Sequence, residues 1–142
     1  MTVNHPYPGF QFLVDAGLTQ ASFREVSQLS SSVDVIEYRD GGEKAGATHK
    51  FPGLRRTSEV VLRRGIVDSN ELFAWFGTIN GGQVEKRDVR VSLLNENHEP
   101  VMQWLLINAW PRSYAAGPFD AMASTVAIEQ LVLVFDSLQL QQ

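Results

Sequence analysis

The hydrophobic positions of this chain recur at every second residue far more often than at every third or fourth. In "RDVRVSLL", residues 87–94, Val89, Val91 and Leu93 fall on one side and Asp88, Arg90 and Ser92 on the other, the alternation of a strand with one wet face. The polar stretch "NENHEP" follows, and "VMQWLLINAW" at 101–110 returns as a strand that is apolar on both sides in its middle. The two predict a hairpin with a connection longer than two residues. Similar runs are "FQFLV" at 10–14, "ASFREV" at 21–26, "SVDVIEY" at 32–38, "SEVVLRR" at 58–64 and "TVAIEQLVLVF" at 125–135. Seven candidate strands predict a mainly β protein, a sandwich or barrel.

The period changes once. In "DSNELFAWFGTINGG" Leu72, Phe73 and Phe76 repeat at helical spacing, with Trp75 close by, and Gly81-Gly82 ends the segment. Asp68 is placed to cap the amide of Glu71, whose carboxylate is placed to reach back as a capping box. This single helix is expected to plug one end or face of the barrel, with Leu72, Phe73 and Phe76 as its buried stripe. Internal repeats, low-complexity tracts and linkers are missing from the chain, so residues 1–142 are read as one domain.

The strands at 101–110 and 125–135 carry more apolar side chains than a small barrel with one wet face needs. Their faces are expected to be covered by copies of the same chain, through a head-to-tail interface that closes into a ring.

Composition narrows the function classes. Cysteine is absent, which excludes disulfides, thiolate metal sites and a cysteine nucleophile. The start of the chain reads as neither a signal peptide nor a membrane span, and a protein made in the cytoplasm is expected. Twelve basic against 16 acidic residues give a formal charge of -4, the opposite of a dedicated nucleic-acid binder. The doublets Arg55-Arg56 and Arg63-Arg64 flank an alternating strand and are read as solvated strand ends.

Candidate chemistry is sparse. His5, His49 and His98 lie far apart in polar stretches and are read as surface histidines, with no shared metal. Hydrolase-elbow and zinc-protease motifs are absent, and Glu37 and Asp40 sit where water would screen them. Trp75, Trp104 and Trp110 keep apolar company and are read as core or subunit-interface residues. No enzyme, cofactor or metal is expected.

One stretch breaks the alternation: "YRDGGEKAGATHKFPG", residues 38–53. Gly41, Gly46, Ala47 and Thr48 follow the spacing of a phosphate-binding loop, but Ala47 stands where that loop needs its lysine. Pro52 and Gly53 also disfavour the helix such a loop opens. The stretch is therefore read as a long surface loop with mixed charge, of a length that is often functional.

Taken in order, six stretches resemble the tube protein of contractile phage tails and of extracellular contractile injection systems. They are "YPGFQFLVDAG" at 7–17, "FREVSQLSSSVDVIEYRDGG" at 23–42, "HKFPGLRR" at 49–56, "VVLRRGIVDSNELFAWF" at 60–76, "VSLLNENHEPVMQWLLINAWP" at 91–111 and "VAIEQLVLVFDSL" at 126–138. The resemblance implies a two-sheet antiparallel β-barrel with one helix and a long extended loop. It implies hexameric rings stacked into a hollow tube inside a contractile sheath, with baseplate or spike and terminator proteins at the ends and effector protein or DNA as cargo. Catalytic residues are not part of it. The extended loop falls on residues 39–51, so Arg39, Asp40, Gly41, Gly42, Glu43, Lys44, Thr48, His49 and Lys50 become the expected subunit-interface residues. An acidic chain suits a DNA-conducting bore, since like charge suppresses sticking. The expected location is a virion tail or an injection particle. The competing reading is a monomeric small-ligand-binding barrel with Trp104 and Trp110 facing the cavity.

Overall fold

In the computed structural model, residues 9, 11–18, 23–39, 41 and 48–141 are described. Nine strands and one helix follow one another along the described residues. β1 (Phe12–Asp15), β2 (Glu25–Val26), β3 (Ser31–Arg39), β4 (Thr48–Thr57) and β5 (Val60–Gly65) precede helix α1 (Glu71–Phe76). β6 (Arg87–Leu94), β7 (Pro100–Ala116), β8 (Ile128–Val134) and β9 (Ser137–Gln141) follow it. All strand pairing is antiparallel, and the fold is mainly β with one short helix.

β7 is the spine of the molecule. Its first half pairs with β6 on one side and β9 on the other, and its second half pairs with β8, which leads on to β5 and β2. The change of sheet falls at Asn108, whose φ is +56°, a left-handed conformation that asparagine tolerates better than most residues. Its backbone N–H donates to Asp88 Oδ1 at 3.1 Å and its side-chain amide to Asp136 Oδ2 at 2.9 Å. The β6–β7 register slips at the same place, so the corner is a bulge fixed by two carboxylates.

The core lies between the two halves. Val14, Val89, Val91 and Leu106 face Val60, Leu62, Leu131 and Leu133 within one buried cluster. Leu72 and Trp75 of α1 belong to it, and Trp75 Nε1 donates to the Glu85 carbonyl at 2.8 Å, which satisfies the one polar atom that the buried ring carries. Arg87 stacks over the same ring at 4.8 Å and donates to the Ala16 carbonyl.

The helix corrects the sequence reading in two ways. The N-cap is Asn70, without a side-chain cap bond; Ser69 Oγ accepts from the Glu71 amide at 3.4 Å, so Asp68 does not build the expected capping box. The buried pair is Leu72 and Trp75, while Phe73 is more than half exposed, because six residues make too short a turn to hide a wide stripe. The apolar faces also differ from expectation. Leu131, Val132 and Leu133 of β8 are all buried within the subunit, so this central strand needs no partner to cover it.

Candidate assembly surface

Among the described residues, the stretch read as a loop is strand at both its ends, residues 38–39 and 48–53. β3 and β4 form a two-stranded ladder from Ser31↔Thr57 out to Arg39↔Thr48. Alternation hid β4, because "THKFPGLRRT" contains a proline and a glycine where a strand should continue. Pro52 sits opposite Val35 at a register slip, and Gly53 lies against the Asp34 carbonyl and the Ile36 side chain, where an added Cβ would come within 3.1 Å of both. The bulge accommodates the proline and the tight approach excludes larger side chains.

The base of this hairpin is tied to the body. Ser58 N–H donates to the Ser30 carbonyl, the Ser30 and Ser58 hydroxyls bond at 2.6 Å, and Thr57 Oγ1 donates to the Phe135 carbonyl. Beyond the base β3 and β4 pair only with each other among the described residues. A nine-residue strand reaches about 30 Å at roughly 3.3 Å per residue.

The hairpin carries apolar side chains on both faces. Val35 is 64% exposed and Leu54 71%, and Ile36, Tyr38 and Phe51 are each about half exposed. Tyr38 and Phe51 meet edge to face at 6.4 Å. Arg56 Nε donates to both carboxylate oxygens of Asp34 at 2.9 and 2.8 Å, and Glu37 lies opposite Lys50. These exposed pairs fix register and contribute little to stability, about 0–1 kcal/mol each. A ladder with two open edges and uncovered apolar side chains is a template on which another chain can pair or pack.

Of the sequence-predicted residues, Arg39, Thr48, His49 and Lys50 come together as the outer end of this ladder, with Gly41 just past it. Asp40, Gly42, Glu43 and Lys44 lie outside the described residues. His98 sits in the 95–99 turn, where Asn95 Oδ1 accepts from the amides of Asn97 and Glu99. No group of histidines and carboxylates that could hold a metal occurs among the described residues. None of the described helices is long and apolar enough to cross a membrane.

Two features escaped the sequence reading. The first is a buried polar cluster. Arg64, read as a solvated strand end, is 2% exposed and its Nε donates to Glu129 Oε1 at 2.6 Å. The Tyr114 hydroxyl donates to Glu129 Oε2 at 2.7 Å, and burial, with the neighbouring carboxylate, raises the Tyr114 pKa above its ordinary value. Parity along β5 held the signal, since Val60, Leu62 and Arg64 share a face. Arg63, on the other face, is exposed and pairs with Glu25 and Gln130.

The second is an apolar end. Ile66, Val67, Phe73, Phe119, Met122 and Val126 are all exposed, in the segments that follow β5 and β7. Trp104 lines a different opening of about 280 Å³ with Phe12, Val26, Leu29 and Val91; Trp110 is not part of that wall.

A mainly β subunit whose two-stranded arm has open edges and exposed apolar side chains has the surface of a protein that assembles with other chains. The comparisons are more specific: the chain belongs to the T4-like virus tail tube protein gp19 family, whose model matches residues 8–139. The family is one of structural tube proteins, not enzymes. A chain of an extracellular contractile injection system, in the PVC sheath–tube complex in its extended state, is 37% identical. The match covers 98% of this chain and 93% of that one, with a TM-score of 0.89. A chain of the PVC sheath/tube terminator is 36% identical over 99% of this chain and all of that one, TM-score 0.91. A chain of the anti-feeding prophage cap, a tube terminating cap, is 35% identical over 99% and 94%, TM-score 0.90. No curated protein sequence matches significantly.

Proposed function

We propose that this protein is a structural subunit of the inner tube of a contractile tail or injection system. Residues 1–142 act as one tube domain, six copies close into a ring, and rings stack into a hollow tube. The carrying observation is the β3–β4 hairpin, an arm anchored at its base whose Val35, Ile36, Tyr38, Phe51 and Leu54 are uncovered within the subunit. Its outer end, with Arg39, Asp40, Gly41, Gly42, Glu43, Lys44, Thr48, His49 and Lys50, makes the contacts between subunits.

The similarity to chains of sheath–tube and tube-terminator assemblies supports a sheath around this tube and terminator proteins at its end. A baseplate or spike sits at the other end, and cargo, effector protein or DNA, passes through the lumen when the sheath contracts. The subunit is made in the cytoplasm and works in a particle released from, or carried outside, the cell. Its mechanism is mechanical, so stiffness between copies replaces an active site.

The test is Leu54→Glu, which puts a carboxylate on the most exposed apolar side chain of the arm at no cost to the core. Sedimentation velocity should show wild-type assemblies and Leu54→Glu as single subunits with an unchanged thermal transition. Equal sedimentation of the two proteins as monomers contradicts the reading.

A further inference from the structure

The arm and the apolar end lie at opposite ends of the same strand. β5 starts at Val60, directly after the hairpin, and finishes at Gly65, paired with Ile128. There Ile66 N–H donates to the Ala127 carbonyl, and Val126 packs beside Gly65. Phe119 and Met122, 72% and 92% exposed, stand on the adjoining 117–127 segment, beside a cleft of about 470 Å³ that Phe119, Pro118 and Ala121 help to line. Phe73 of α1, also exposed, lies edge-on at 5.3 Å to Tyr114 of β7, three residues before Gly117, where the 117–127 segment begins.

Charge tells what covers this end. Residues 66–76 and 117–127 contain Asp68, Glu71 and Asp120 and no lysine or arginine. β4 is the reverse, with Lys50, Arg55 and Arg56 and no carboxylate. Asp34 engages Arg56 and Glu37 faces Lys50, but Arg55 stands opposite Val33, so the arm keeps an excess of positive charge along β4. An apolar arm with cationic flanks and an apolar end with anionic flanks are complementary in both respects. Carried at opposite ends of one strand, they make a heterologous contact that repeats from copy to copy.

We infer that the end formed by residues 66–76 and 117–127 is the receiving surface for the β3–β4 arm of a second copy of this chain. The arm's aromatic and aliphatic side chains lie against Phe119, Met122, Val126 and Phe73, with the 470 Å³ cleft roomy enough for one ring, and the β4 cations meet Asp68 and Asp120. This inference rests on the tube-subunit reading and names the surface that the reading leaves open.

Because the chain has no cysteine, two exposed positions can be marked without background. Leu54→Cys and Met122→Cys, on full-length chains with tags of different size, are assembled together and treated with a short bismaleimide. A mixed dimer joining the two tags should dominate, and a Leu54→Cys chain mixed with Gln139→Cys should give several-fold less. Assembled chains in which Leu54→Cys joins Gln139→Cys as readily as Met122→Cys overturn the inference and leave the tube reading standing. Hydrogen exchange on the unmodified protein gives an independent readout. Amides of 117–127 should slow at least tenfold on assembly, and unchanged exchange there, in particles that do form, overturns it as well. A wild-type chain that never assembles overturns the inference together with the reading beneath it.

Discussion

Arg64 and Glu129 stand directly opposite each other on β5 and β8, and the arginine Nε donates to the carboxylate at 2.6 Å with both side chains inside the core. Phe23 lies over the guanidinium at 5.8 Å, and Tyr114 donates to the second carboxylate oxygen. Together they tie β5, β8 and the second half of β7 to one another.

Removing one charge leaves the other buried and uncompensated, which costs about 3–5 kcal/mol. Glu129→Ala should therefore lose stability on that order in urea unfolding at neutral pH, measured in the Leu54→Glu background to keep subunits single. The double change Arg64→Met with Glu129→Leu should recover most of the loss, because the desolvation of both charges disappears with them. A double variant as unstable as the single one contradicts this account of the cluster.

Tyr114 gives the cluster an alkaline signature. Its pKa is raised in the folded state by burial and then by Glu129, so the folded chain holds the phenolic proton more tightly than the unfolded chain. The stabilisation is complete below the ordinary tyrosine value of about 10 and is lost as pH rises from there through the folded value. Unfolding curves from pH 8 to 11 should show the advantage of wild type over Tyr114→Phe shrinking above pH 10. A constant difference across that range removes the titration of Tyr114 from the explanation.

The helix separates core from surface within two adjacent residues. Leu72 is fully buried and Phe73 is mostly outside. Leu72→Ala should cost about 2–5 kcal/mol through lost transfer energy and a cavity. Phe73→Ser should stay within about 1 kcal/mol, since it gives up only an exposed aromatic contact with Tyr114. Chemical denaturation of both variants checks the order.

Residues 41–48 have almost no apolar side chain, and their glycines carry a large ordering entropy, so the subunit gains little by fixing them alone. Replacing them with a short Gly-Ser linker should leave the subunit's thermal transition within a few degrees while tube formation fails. A variant that still builds normal tubes, or one that no longer folds, contradicts the assembly role of the arm's outer end.

The sequence showed the period of β6, the paired return of β7 and the polar turn between them, because one wet face writes its alternation directly into residues 87–94. β4 escaped because a proline and a glycine at a bulge look like a loop until the partner strand is known. β9 escaped because "SLQLQ" is short and ends the chain's pattern without a turn signal after it. The arm's charge and glycine content set it apart from the other strands, but its apolar faces were not legible. Val35, Ile36 and Phe51 look like core residues when the surrounding sheet is unknown. Arg64 was misread for the converse reason, since nothing local to a basic doublet says that a carboxylate 65 residues away lies across the ladder.

The central claim is that copies of this chain build a tube, and electron microscopy of the purified full-length protein tests it most directly. Negative-stain fields at increasing concentration should show rings with six-fold end views and stacks of them with an open bore. Single subunits at every concentration, from a protein whose thermal unfolding is cooperative, contradict the claim.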